Sequence, residues 1–420
     1  MYREEQLKAL LAGRSILIAG YGREGRSTEA LVRRLLPDAP VAIADGNTRI
    51  ASEAAKGCYD LVVKSPGVPM RVLPEACRPR VTSLTDLFLQ VYGDLTIGVT
   101  GTKGKSTTAS LIHHLLQGSL LAGNIGVPLF DIVDELHEGV TVVAELSCHQ
   151  LEGIRRAPHI AVLLNLFQEH LDHYDNYDGY KMAKMQIALR QRTGDHFFYS
   201  TDNEELVLMV HRERDRMAGM QDPYSINDVA PEERDLLEAL PLEGEHNRSN
   251  ALVALRVCRL VAGSGAGSTG AFRSRLAAFQ GLRHRMERVG ERRGIVWYDD
   301  SISTIPAATI AAVKALGRVD TLILGGFDRG IDYSPLVDFL KEAHTMNLVF
   351  VGQAGRRICT ALGRKDRVLV EDDYASIVAW CAGHTPQGGV VLLSPAAASY
   401  DSFKNFEQRG DCFRQQIMNL

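Results

Sequence analysis

Leu95-Thr-Ile-Gly-Val-Thr-Gly-Thr-Lys-Gly-Lys-Ser-Thr107 is the stretch on which the reading of this chain turns. Leu95 to Thr100 is an apolar run and reads as a buried strand, and Thr108 to Leu116 continues as a helix. Between them, Gly101, Thr102, Lys103 and Gly104 form a tight turn that opens directly on Lys105 and Ser106. A strand, a glycine turn and a helix N-terminus aim backbone N–H groups and the positive end of the helix dipole at one point, which suits an anion. In such a cradle Lys105 reaches terminal phosphates, and a hydroxyl from Ser106 or Thr107 can ligate magnesium. The long spacing Gly-x-x-x-x-Gly-Lys-Ser is not met, because Val99 occupies its first position, but the shorter Gly-x-x-Gly-Lys-Ser is. ATP or GTP is the expected ligand.

Outward from this stretch the chain alternates strands and helices. Ser15 to Ala19 reads as a strand, followed by Gly20-Tyr-Gly-Arg-Glu-Gly25 and a helix through Leu36. Val41 to Ala44 runs into Asp45, and Tyr59 to Val63 runs into Ser65-Pro-Gly67. After the phosphate turn, Val140 to Ala144 leads to Glu145, and Ile160 to Leu164 leads to Asn165. A third group begins near Leu282, with strands at Ile295–Tyr298, Thr321–Leu324, Leu348–Val351 and Val390–Leu393 and a helix over Pro306–Leu316. Met217 to Pro241 is polar and weakly periodic and reads as loops and short elements. The expected fold class is α/β in three domains, 1–93, 94–281 and 282–420. Each would hold a mainly parallel sheet flanked by helices, Rossmann-like at both ends and P-loop in the centre, with ligands at the carboxyl ends of the strands.

Bulk properties narrow the function classes. A chain of 420 residues exceeds one comfortable core, which agrees with several domains. A net charge of −4 gives no basis for general nucleic-acid or anionic-membrane affinity. Seven scattered cysteines without a Cys-x-x-Cys pair suit a reducing cytoplasm better than a disulfide framework or a zinc site. The N-terminus is too acidic for a signal peptide, and the apolar runs are too short to span a bilayer. A cytoplasmic protein acting on small molecules, without nucleic-acid or membrane partners, is expected.

The remaining constellations divide by strength. Gly20-x-Gly-x-x-Gly25 with Asp45 about twenty residues on satisfies a dinucleotide fingerprint, so an NAD-dependent oxidoreductase is one alternative. A second nucleotide site downstream argues against it. Glu145, one strand beyond the phosphate turn, is where such a protein places a magnesium partner. His170, in Gln168-Glu-His-Leu-Asp172, offers a further ligand or polariser. Adjacent His113 and His114 cannot share a helix face, and Cys148-His149 is not read as a nucleophile and base. Lys181 and Lys184 on a helix would ordinarily be solvated, and capping suffices to explain the Asn residues of Glu245-His-Asn-Arg-Ser-Asn250. Arg283 and Arg285 read as exposed charge or as phosphate contacts.

The order of these elements resembles the Mur ligases of peptidoglycan synthesis, most closely their MurD-type members. The resemblance runs through Ser65-Pro-Gly67, the phosphate turn, Gly123-Asn-Ile-Gly126, Glu145-Leu-Ser147, His170-Leu-Asp172, Tyr180 to Lys184, His246 to Asn250, His284-Arg285 and the closing run from Leu393 to Gly410. It implies a monomeric three-domain ligase that uses ATP and Mg2+ to add D-glutamate to UDP-N-acetylmuramoyl-L-alanine through an acyl phosphate. By residue, it assigns UDP contacts to Arg23, Glu24, Asp45, Asn47 and Gly67, and contacts with the rest of that substrate to Asn124 and Ser147. One magnesium would lie with Ser106, Thr107 and Glu145, and a second with His170 and Lys184 if that lysine is carbamylated. Catalysis falls to Lys105, Glu145, His170 and Lys184. ATP contacts fall to Gly101 through Thr107 and to Asn247, Asn250, Arg285 and Asp300. Thr304, Arg329, Ser399 and Phe406 would receive glutamate, Arg329 being suited to grip a carboxylate.

The chain also departs from that pattern. Lys103 replaces a usual Asn, Ile302 a usual Lys, and Cys148-His149 a usual Ser-Phe, while Phe167-Gln168 is atypical. These changes resemble a divergent MurD-like subgroup, some members of which add L-glutamate. L-glutamate ligation and a nucleotide-binding relative that has lost ligation are therefore the alternatives.

Overall fold

The computed structural model describes residues 2–168, 174, 176–242, 244–263 and 269–420. The chain divides into two compact units, Met1–Phe279 and Gln280–Leu420. The first carries two sheets. In one, β1 (Ile16–Ala19), β2 (Val41–Ala44), β3 (Leu61–Lys64) and β4 (Val81–Thr82) pair in parallel in the order β2-β1-β3-β4. In the other, β5 (Thr96–Thr100), β6 (Leu120–Gly123), β7 (Val142–Glu145), β8 (Ile160–Leu163), β9 (His196–Ser200) and β10 (Met220–Tyr224) are ordered β10-β9-β8-β5-β7-β6, again all parallel. The phosphate-turn strand β5 lies between the strands that end at Glu145 and just before Asn165.

The strands are short because their apolar runs are short, and every residue of β1, β3, β5, β7 and β8 is buried. Strands covered on both faces read as continuous apolar runs, which is the mark of a parallel sheet under helices. One core cluster takes Ile18 and Val63 from the first sheet, Leu87 and Phe88 from a helix, and Ala144, Leu163 and Phe197 from the second. Burial of such side chains is worth roughly 1.5–3 kcal/mol each relative to exposure.

The second unit holds β11 (Glu287–Arg292), β12 (Ile295–Asp299), β13 (Thr321–Gly325), β14 (Asn347–Val351), β15 (Val368–Val370) and β16 (Val390–Leu393), in the order β11-β12-β16-β13-β14-β15. All pairs are parallel except the β11–β12 hairpin at one edge. The helix expected at Pro306–Leu316 has those limits, with Pro306 in its first turn where a missing N–H costs nothing.

Two local expectations are corrected. The Asn residues near Glu245 do not cap their helix: the cap is Gly244, and Asn247 and Asn250 lie inside Glu245–Ala262. The lysines of the helix Tyr177–Leu189 are not solvated, Lys181 being 8% and Lys184 1% exposed. Smaller shifts occur at strand starts. Leu95 falls in a 3-10 turn before β5, and Tyr59-Asp60 precedes β3 because the Asp60 carboxylate accepts from the Ser15 N–H at 2.9 Å and hydroxyl at 2.7 Å. Among the described residues no helix is long and apolar enough to cross a membrane.

Candidate functional site

The turn after β5 gathers cations around backbone. The helix Lys105–Leu115 begins at Gly104, whose φ of +86° is left-handed and open to glycine at little cost. A Cβ there would lie 2.7 Å from the Asn250 Oδ1, so Asn250 packs directly against the turn. The Lys105 ammonium donates to the Gly101 and Thr102 carbonyls, both at 2.9 Å. The Lys184 ammonium also donates to the Gly101 carbonyl, at 2.7 Å, and lies 4.9 Å from the centre of the Tyr180 ring. Tyr180 in turn shares a 2.8 Å hydrogen bond with the Thr102 hydroxyl. Asn165 braces the turn: its side chain accepts from the Lys103 N–H at 2.8 Å and donates to the Lys103 carbonyl at 3.1 Å. Nothing in the chain pattern pairs position 165 with the turn; its place at a strand end was the one signal.

Glu145 closes β7, in register with Val99 of β5. Its Oε1 accepts from the Asn124 side-chain N–H at 2.6 Å, while its Oε2 is buried with no hydrogen bond among the described residues. An unpaired buried carboxylate oxygen is costly and calls for a partner. Ser106 and Thr107 hydroxyls with a carboxylate form an all-oxygen donor set, which fits magnesium. His170 lies outside the described residues.

Asn124 also lines a cavity of about 440 Å³ at the carboxyl ends of the first sheet. Arg23, Glu24, Asp45, Asn47 and Gly67 line it with Asn124, so six expected substrate residues share one wall system. Its glycine turn is dense. A Cβ on Gly25 would meet the Gly20 carbonyl oxygen at 2.2 Å, and the Ser65 hydroxyl donates to that same carbonyl at 2.7 Å. The Asp45 carboxylate accepts from the Tyr21 N–H at 3.1 Å. The Arg23 guanidinium donates to the Gly126 carbonyl.

Ser147 caps the helix Cys148–Leu151 in a reciprocal box with Gln150. Gln150, a residue the motif reading passed over, also donates to the Glu24 Oε1 at 2.7 Å. Burial pushes the Glu24 carboxyl up to about 7, with Gln150, Lys64 and Arg23 pulling the other way. Cys148 is 2% exposed and packs with Tyr174, Tyr180 and Ala183, which suits a structural thiol. His113 and His114 are occupied by the Ser119 hydroxyl and the Arg275 carbonyl. Lys181 pairs with Asp178 at 2.7 Å and Glu205 at 2.5 Å.

In the second unit the remaining candidates collect where β12, β13 and β16 end. Asp300 follows β12, and its carboxylate accepts from the Ser394 hydroxyl at 2.7 Å and the Met286 N–H at 3.2 Å. Burial raises its carboxyl to about 6 despite those bonds. The Arg329 guanidinium donates to the Thr304 carbonyl at 2.9 Å, bringing those two residues together. The Ser399 side chain is buried, and the Phe406 carbonyl accepts from the Ser301 hydroxyl at 2.8 Å. Arg409, 1% exposed, joins these segments: it donates to the Ser301 hydroxyl and carbonyl and to the Ala397 and Ala398 carbonyls. It lies within the closing run from Leu393 to Gly410, but nothing in that run assigns it a role; its burial and hydrogen bonds do. Arg285 is exposed. Its neighbour His284 bonds Asp299 at 2.7 Å, and Glu287 accepts from the His284 N–H at 2.8 Å, so that trio braces the carboxyl end of β12.

The Mur ligase middle domain matches residues 99–258, and the Mur ligase glutamate ligase domain matches residues 284–397. The chain is 34% identical to the UDP-N-acetylmuramoyl-L-alanine–L-glutamate ligase of Salinispora tropica, over 97% of this chain and 98% of that one. It is 35% identical to the UDP-N-acetylmuramoylalanine–D-glutamate ligase of Geotalea uraniireducens, over 86% and 83%. Among solved structures, MurF ligase of Thermotoga maritima in complex with ADP has a TM-score of 0.56 at 16% identity, covering 96% and 95% of the two chains; that likeness is one of fold.

Proposed function

The chain belongs to the Mur ligase family, and on that premise we propose that it is an ATP-dependent ligase joining D-glutamate to UDP-N-acetylmuramoyl-L-alanine in peptidoglycan precursor synthesis. The observation that carries this reading is the pairing of a cation-rich phosphate turn with a carboxylate, Glu145, whose second oxygen is buried and unsatisfied. A carboxylate and an amine do not condense in water, so one must be activated. Transfer of the ATP γ-phosphoryl to the alanyl carboxylate makes an acyl phosphate; attack by the glutamate amine then gives an amide and releases phosphate. Lys105 and the backbone N–H groups of Gly101 to Gly104 hold the phosphates in line and stabilise charge that builds on the transferring group. Ser106, Thr107, Glu145, His170 and a carbamylated Lys184 would hold magnesium, which when bound supplies neutralising charge on phosphate oxygens.

The first-sheet cavity would take the UDP group through Arg23, Glu24, Asp45, Asn47 and Gly67, with Asn124 and Ser147 toward the sugar and alanine. Asn247 and Asn250, with Arg285 and Asp300, are assigned to ATP, and Thr304, Arg329, Ser399 and Phe406 to glutamate. The domain division 1–93, 94–281 and 282–420, a monomeric state and a cytoplasmic location belong to the same proposal. A second reading, L-glutamate as the amino acid, is favoured by the Salinispora relative. Phosphate release from UDP-N-acetylmuramoyl-L-alanine, ATP and magnesium decides between them. Release with D-glutamate supports the first reading and release with L-glutamate alone replaces it. No release with either, despite ATP binding, overturns ligation.

A further inference from the structure

The cavity assigned to the nucleotide-sugar carries an acid where an anionic ligand should meet none. Glu24 stands in the first turn of the helix Arg23–Leu35, within the wall of that cavity. Its Oε1 is held by the Gln150 amide at 2.7 Å, and the Gln150 carbonyl is itself taken up by the Ser147 N–H at 2.9 Å. One carboxyl oxygen is thus held, while Oε2, buried with no hydrogen bond among the described residues, has to swing out toward the cavity to meet a ligand. The charges that face it are Lys64 from β3 and Arg23 from its own helix. Both cations are engaged elsewhere. Lys64 donates to the Val68 carbonyl at 3.0 Å and pairs with Glu152 at 3.2 Å, and Arg23 donates to the Gly126 carbonyl. Asp45 adds a second carboxylate to the same wall, while the Gly123-Asn124 turn adds amides only.

An ionised Glu24 would repel a diphosphate; a neutral one has a proton to offer it. We propose that Glu24 receives the diphosphate of the nucleotide-sugar as a carboxylic acid, Oε2–H donating to a phosphate oxygen, so that binding takes up one proton. This rests on the UDP-substrate reading of the cavity. The proton comes from solvent, ends on Oε2, and no covalent bond changes. Burial already holds this carboxyl near neutrality, so the protonated form is accessible at working pH.

The test is calorimetric titration of the protein with UDP-N-acetylmuramoyl-L-alanine, whose doubly esterified diphosphate does not ionise near neutrality. Two buffers of different ionisation enthalpy give the proton count, from about pH 6 to about pH 8.5. The expected result is uptake approaching one proton at the alkaline end and a Kd that rises about tenfold per pH unit above neutrality. Glu24→Gln, which keeps a donor but cannot titrate, should bind with no proton uptake and a flat pH profile. Wild-type binding without proton uptake, or an unchanged pH slope in Glu24→Gln, overturns the inference and leaves the UDP reading standing. If the variant does not fold, the wild-type proton count decides alone. No binding of this probe at any pH overturns the UDP reading and this inference with it.

Discussion

Two glycine turns in the first unit are built alike and charged differently. Each follows a buried parallel strand, opens a helix, and brings backbone so close that a Cβ would collide, 2.2 Å from the Gly20 carbonyl oxygen at Gly25 and 2.7 Å from the Asn250 side chain at Gly104. Around the phosphate turn stand Lys103, Lys105 and Lys184; around the cavity turn stand two carboxylates, Glu24 and Asp45, with the cation Arg23, which is bonded to the Gly126 carbonyl. The backbone cradle is therefore a shared device, and on the proposed reading the side chains beside it choose between a triphosphate with metal and a nucleotide-sugar. A fingerprint of glycines alone reads the device and misses the choice, which is why Gly20 to Gly25 also admitted an NAD reading.

That contrast can be broken most severely at Lys105. Lys105→Ala should lower phosphate release by roughly a thousandfold or more, with thermal unfolding within a few degrees of wild type. Near-normal turnover would mean that the cations of this turn do not act on phosphate. Next in size, Glu145→Gln should lower turnover by roughly a hundredfold and shift the magnesium titration to higher concentration. A variant with unchanged metal dependence would detach the orphaned oxygen from metal binding.

Smaller effects sharpen the comparison on the stability side. Gly25→Ala meets backbone, which cannot yield, and should cost about 2–4 kcal/mol in denaturant unfolding. Gly104→Ala meets a side chain that can turn away, and should cost about 1–2 kcal/mol, mostly from its left-handed φ. Equal costs would show that the two turns are not distinguished by what packs on them. Last, and confined to one pH window, is the acid itself. Because the folded Glu24 carboxyl lies at about 7, above its ordinary value of 4.5, the folded protein binds more protons than the unfolded chain between those limits. Its ionisation therefore costs stability as pH rises through that window. Glu24→Gln should gain roughly 1–2 kcal/mol over wild type near pH 8 and nothing near pH 4, read from unfolding midpoints at both. A gain that is the same at both pH values would place the carboxyl's titration at its ordinary value.

Much of the architecture was readable because parallel strands buried on both faces are uninterrupted apolar runs, as at residues 142–144 and 391–393. Strand starts were less so, since the Asp60–Ser15 bonds that delay β3 join residues far apart in sequence. The candidate site was legible where a motif names both residue and turn, as at Lys105. Lys184 was not, by pattern: a lysine on a helix reads as solvated, and only the Gly101 carbonyl and the Tyr180 ring, contributed by the fold, explain its burial. Gln150 was invisible for the same reason, and Arg409, though inside the closing run, had no legible role, their partners being set by tertiary packing.

Arg409 has one further implication. Its side chain ties the carbonyls of Ser301, Ala397 and Ala398 to the helix Phe406–Met418, whose Phe413 and Ile417 are fully buried. This helix is a keystone and not a removable tail: a shortened version of the protein ending before Asn405 would loosen two separate strand-end loops at once, those after β12 and β16, and crystallographers or engineers trimming the chain should cut elsewhere.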